Sequence, residues 1–146
     1  MGSHSKPGKV KGQGGILGLA EGGGRVLGLG LDLVERDRVE ESLRRWGDRI
    51  VSKLMHPEEA ARLPAAAPER ALALARAIAA KEATSKAIGT GWSRGVRWRD
   101  VALEAGTLRL SGRAAEVAES LGSRGRCWLR LEERGNLVLA EVRLLS

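Results

Sequence analysis

Residues 26–34, VLGLGLDLV, alternate with period two. Leu27, Leu29, Leu31 and Leu33 fall on one face; Val26, Gly28, Gly30, Asp32 and Val34 fall on the other, the spacing of a β-strand. From 37 to 54 the period changes. Val39, Leu43, Trp46, Ile50 and Leu54 recur at helical spacing and predict one helix with an apolar stripe. At about 100° per residue, Arg38, Arg45 and Arg49 align on a second stripe, roughly 120° from the first. That row is open to two readings: a solvated basic face, or a ridge that docks an acidic helix.

A second helix start lies at His56-Pro57-Glu58-Glu59. Proline suits the first helical position and the acids suit the positive end of the dipole, so His56 reads as a cap residue. PAAAP at 64–68 interrupts the chain. A long helix is predicted over about 69–88, stopped by Gly89. Leu72, Ala75, Ile78 and Ala79 give it an apolar face, with Glu82 in the middle of that face and Lys86 one turn later. The remainder is β-rich. One hairpin turns at Glu104-Ala105-Gly106, a short helix ends at Gly122, and a second hairpin turns at Arg134-Gly135-Asn136. The pattern is α+β: an antiparallel sheet with a long helix packed on it.

Two acids therefore interrupt apolar faces, Asp32 on a strand and Glu82 on a helix. Glu82 and Lys86 at i, i+4 would form an exposed ion pair contributing only about 0.2–0.5 kcal/mol. A carboxylate turned toward a core is costly unless something compensates it. Two such carboxylates become stable together when a hard cation sits between them. Mg2+ fits, because it accepts one or two carboxylates and keeps positions for water and phosphate oxygens.

Composition narrows the partners. The 146 residues are enough for one domain, and the core must be Leu, Val, Ala and Trp because Phe and Tyr are absent. The net charge of +7 favours an acidic or phosphorylated partner. A lone cysteine, Cys127, excludes an internal disulfide, and two histidines argue against a zinc site. No apolar run is long enough for a membrane span, so a cytoplasmic protein is expected. Nucleic acid is a weak fit: the arginines are scattered among acids, and the four tryptophans look dispersed along the chain. Residues 1–25 read as a tag remnant and Gly/Lys-rich linker, with a short apolar patch at Ile16-Leu17-Gly18-Leu19. The domain is expected over 26–146.

GLGLDL, followed about fifty residues later by AAKEATSKAIGTG, resembles the holo-[acyl-carrier-protein] synthase type of phosphopantetheinyl transferase. The segments RWGDRI, HPEEA and GVRWRDVAL resemble that family too. The resemblance implies a transferase that moves the 4′-phosphopantetheine arm of coenzyme A onto a serine of an acyl carrier protein or carrier domain and releases 3′,5′-ADP. Fatty acid or polyketide biosynthesis is the implied setting. Asp32 and Glu82 stand where the family binds Mg2+, with Lys86 beside them in the catalytic set. Lys81 and Lys86 stand where it places basic groups near the phosphates, and Gly89 and Gly91 belong to the same cofactor-binding stretch. Arg38, Arg45 and Arg49 stand near where it meets the acidic carrier. A homotrimer with sites shared between subunits is implied. The glycines before Asp32 would let helix and ligand approach the strand closely.

Three departures from the family pattern stand out. Arg76-Ala77-Ile78 replaces Gly-Arg-Phe, Gly106-Thr107-Leu108 replaces a Gly-Lys-Pro turn, and Leu131-Glu132-Glu133-Arg134 replaces a Ser-His-Thr strand end. Acids at that strand end would repel phosphate. The alternative reading is thus a catalytically impaired relative, acting as a carrier-binding or structural trimeric module of a larger synthase.

Overall fold

The computed structural model describes residues 24–146. The leader expected over 1–25, with its Ile16–Leu19 patch, lies outside the described residues except for Gly24 and Arg25. Strand β1 (Val26–Glu35) leads into α1 (Arg36–Trp46), α2 (Asp48–Leu54), α3 (Pro57–Ala60) and the long α4 (Ala67–Ala87). A 3₁₀ turn at Trp98–Asp100 precedes β2 (Val101–Glu104) and β3 (Thr107–Leu110), then α5 (Gly112–Ser120), β4 (Arg126–Arg134) and β5 (Leu137–Leu145). The architecture is α+β, as expected. The strands form two antiparallel sheets: β1-β5-β4, and the β2-β3 hairpin by itself.

The helix expected over 37–54 is broken. Gly47 adopts φ +54° with ψ −132°, a backbone region that favours glycine, and this ends α1 and starts α2. At His56 the N-cap position is as expected, but its side chain makes no cap bond.

Register fixes which face of the large sheet carries chemistry. On the inner face lie the rows Gly30–Val142–Leu129, Asp32–Ala140–Leu131 and Val34–Val138–Glu133. Val138, Ala140, Val142 and Leu144 are fully buried there. Helix α4 lies across this face, against β1 and β5. Gly28 and Gly30 make the approach possible. A Cβ at Gly28 would collide with the Ala87 carbonyl oxygen, and one at Gly30 with the Ala83 carbonyl. The outer face is different: Leu29, Leu31 and Leu33 are each more than half exposed.

The apolar face of α4 includes the one read from spacing, with Ala75 and Ala79 fully buried and Leu72 and Ile78 packed against the core, but it is wider than that stripe. The helix is rich in alanine, so burial can be spread over two of its sides. Ala79, Ala83 and Ala87 meet the sheet, while Leu74, Lys81 and Ser85 are enclosed on another side. Ile78 and Glu82 are half-buried and Lys86 is exposed; at i, i+4, i+8 they form the accessible stripe. Glu82 therefore does not face the core.

Candidate active site

The site forms where the accessible stripe of α4 passes the end of the glycine run in β1. Asp32 lies on the inner face one alternation beyond Gly30, with its side chain 17% exposed. Lys86 reaches across and donates from Nζ to Asp32 Oδ1 and to the Leu31 carbonyl, each at 3.1 Å. Lys86 thus turns to Asp32 rather than to Glu82, its neighbour one helical turn back. Glu82 has another partner: the Trp92 indole N–H donates to Glu82 Oε1 at 3.2 Å. Among the described residues no donor reaches Asp32 Oδ2 or Glu82 Oε2. The structure brings Asp32 and Lys86 into contact, with Glu82 one helical turn away on the same stripe.

This donor set suits a hard cation. No cluster of three or more His, Cys, Asp or Glu side chains occurs among the described residues. Two carboxylates, each with an oxygen to spare, match what Mg2+ takes from a protein when phosphates and waters complete its shell.

Lys81 is placed elsewhere. Its side chain is fully buried and its Nζ donates to Glu59 Oε1 at 2.9 Å, to the Trp98 carbonyl at 3.3 Å, and to the Val101 carbonyl. An ammonium has three protons, and all three are used. Glu59 Oε2 accepts the Leu103 N–H at 3.0 Å, which completes the enclosure. Burial lowers the Lys81 pKa below its ordinary value, and Glu59 opposes that shift. The expected phosphate contact from Lys81 is therefore corrected: its ammonium is enclosed with protein acceptors and pins α4 to α3 and β2.

Gly89 and Gly91 take positive φ, +84° and +58°. Their N–H groups donate to the Lys86 and Ser85 carbonyls, both at 3.0 Å, and so cap the end of α4. What they leave to the site is a turn without side chains.

The basic row divides within α1, between Arg38 and Arg45, while Arg45 and Arg49 stay together across the helix break. Arg45 and Arg49 lie over the exposed Trp46 ring, 5.8 and 5.6 Å from its centroid. Arg38 pairs with Glu35 at 2.7 Å at the start of α1 and does not join them.

Two of the three sequence departures meet each other. Arg76 Nε donates to Glu133 Oε2 at 2.7 Å, with a second guanidinium N–H on the same oxygen. Glu132 pairs with Arg130 and Arg134 on the outer face. The expected repulsion of phosphate is corrected accordingly, because each acid is already paired.

Sequence reasoning missed Glu59 and Trp92. Glu59 looked like a dipole-complementing acid in a short helix, and nothing local marks its distant partner. Trp92 directly follows Gly89-Thr90-Gly91, a turn that swings the chain back, and this was the available signal. Nor are the tryptophans all dispersed: Trp92 and Trp98 stack with centroids 4.1 Å apart and planes inclined by 20°.

Residues 28–141 match the 4′-phosphopantetheinyl transferase superfamily. Similar curated relatives include a holo-[acyl-carrier-protein] synthase of Acidithiobacillus ferrooxidans, 38% identical over 122 residues, covering 80% of this chain and 95% of the relative. One from Solibacter usitatus is 45% identical over 102 residues, covering 66% and 81%. The Neisseria meningitidis holo-[acyl-carrier-protein] synthase crystal structure superposes with a TM-score of 0.69 at 30% identity, over 82% of this chain and 98% of that one. The Chronobacterium ammoniagenes ACPS–CoA complex gives 0.60 at 27% identity, over 82% and 96%. The chain belongs to the 4′-phosphopantetheinyl transferase superfamily.

Proposed function

We propose that the protein transfers 4′-phosphopantetheine from coenzyme A to a serine of an acyl carrier protein. The serine hydroxyl gives up its proton to water as its oxygen forms the new P–O bond, the pyrophosphate P–O bond breaks, and 3′,5′-ADP leaves with the electron pair. The observation that carries this reading is the Asp32–Lys86 contact beside Glu82, built on a strand–helix approach that Gly28 and Gly30 permit. Asp32 and Glu82 would hold Mg2+, which supplies charge neutralisation at the pyrophosphate oxygens. The half-exposed side chain of Lys86 supports a role for it at a phosphate oxygen, reached when it leaves Asp32. The side-chain-free turn at Gly89 and Gly91 leaves room beside it.

The exposed Trp46, flanked by Arg45 and Arg49, supports reading that surface as the carrier contact, an apolar ring framed by positive charge. The exposed leucines of β1 support a homotrimer, since contiguous apolar surface at this density marks an interface. Among the described residues no helix is long and apolar enough to cross a membrane; the cytoplasm is the proposed location.

Calorimetry with coenzyme A and Mg2+ tests the nucleotide half of the reading. Because Arg76 neutralises Glu133, micromolar binding is expected. No heat at millimolar coenzyme A would refute it and favour the carrier-binding, non-catalytic alternative.

A further inference from the structure

We propose that Trp92 is a positioning residue for Glu82, resting on the reading that Asp32 and Glu82 hold Mg2+. Glutamate on an accessible helix stripe has three side-chain torsions to sample, and a ligand that wanders binds a cation poorly. Here the Trp92 indole N–H fixes one carboxylate oxygen at 3.2 Å and leaves the other open. Tryptophan suits the task because its Nε1–H is a donor only, so the contact is made with a carboxylate acceptor.

The indole is itself held from behind. Trp98 stacks on it at 4.1 Å, and the Trp98 carbonyl accepts from the buried Lys81 ammonium. The chain around Trp92 is fixed too: Gly91 takes positive φ, and the Ser93 hydroxyl donates to the Thr90 carbonyl at 2.7 Å. A line of contacts therefore runs from the Glu59–Lys81 pair through the two rings to the Glu82 carboxylate. It gives Lys81 a role in the site without a place at the phosphates.

The test is Trp92→Phe, which keeps a ring against Trp98 and removes the donor. Thermal unfolding confirms that the variant is folded. Mg2+ binding, measured by calorimetry in the presence of coenzyme A, should weaken by about 10–100-fold. The Mg2+ concentration needed for half-maximal transfer should rise in step, with the carrier KM unchanged. In a Glu82→Gln background, Trp92→Phe should add nothing. Wild-type Mg2+ affinity in Trp92→Phe, with Mg2+-dependent transfer intact, overturns the positioning role and leaves the metal reading standing. A wild-type protein that neither binds Mg2+ nor needs it overturns both. If Trp92→Phe does not fold, 15N-labelled tryptophan in the wild-type chain decides. One of the four indole N–H resonances should move both on Mg2+ addition and on Glu82→Gln. No responsive resonance overturns the proposal.

Discussion

Replacing Gly30 by alanine adds one methyl group where α4 crosses β1. Its Cβ would lie 2.8 Å from the Ala83 carbonyl carbon and 2.9 Å from the Ala87 nitrogen, with the Ala83 carbonyl oxygen closer still. Non-bonded carbon atoms rest at about 3.5–4.0 Å. Helix α4 must therefore retreat by at least about 1 Å, because every obstructing atom is backbone and no side chain can rotate away. Overpacking of a core costs about 1–3 kcal/mol, and a clash with backbone belongs at the upper end. Relief from the lower unfolded-state entropy of alanine offsets only about 0.4–1 kcal/mol. Gly30→Ala should thus lose about 2 kcal/mol in denaturant unfolding. The functional loss should be larger than that figure suggests. The retreat carries Glu82 and Lys86 away from Asp32, and a displacement of about 1 Å at a reacting centre can cost about 100-fold in rate. Activity measured well below the unfolding midpoint should fall by that order. A variant within about 0.5 kcal/mol of wild type and fully active would refute the close-approach account of the glycines.

Lys81→Met should cost about 3–5 kcal/mol, because it strands the Glu59 carboxylate in the interior, and equilibrium unfolding measures this. In the wild type, burial holds the Lys81 pKa below its ordinary 10.5. The unfolded chain then binds more protons between the lowered value and 10.5, so this group's contribution makes stability rise with pH across that window. Burial pushes the Cys127 thiol up to about 12, so the native protein should resist iodoacetamide in mildly alkaline buffer and label promptly once unfolded. Arg45→Glu should slow carrier association severalfold at low salt and flatten its salt dependence in stopped-flow measurements; an unchanged rate would restore the solvated-face reading of that stripe.

The sequence disclosed the elements whose pattern has contrast. The alternation through Leu27–Val34, the paired hairpins and the Gly89 stop all appear where expected. Asp32 and Glu82 stood out because each breaks an apolar neighbourhood, and the AKEA stretch made the second one specific. Other features were hidden for physical reasons. In α4, alanine at most positions erases the difference between faces, so Glu82 was assigned to a buried face it does not occupy. The break at Gly47 depends on a positive-φ backbone torsion, and Arg38 stands apart because it pairs with Glu35, a contact that helical spacing does not encode. The Glu59–Lys81 and Arg76–Glu133 pairs join residues 22 and 57 positions apart, and no local period encodes such a contact. Lys81 and the acids near Arg134 were misread for this reason: a charge in sequence reveals nothing of its partner.

The most direct measurement is the mass of an acyl carrier protein after incubation with this protein, coenzyme A and Mg2+. The wild-type chain should add one phosphopantetheine group to the carrier, and Glu82→Ala, folded and at saturating coenzyme A, should add none. A carrier that stays unmodified with folded wild-type protein, or one modified equally well by Glu82→Ala, would contradict the account.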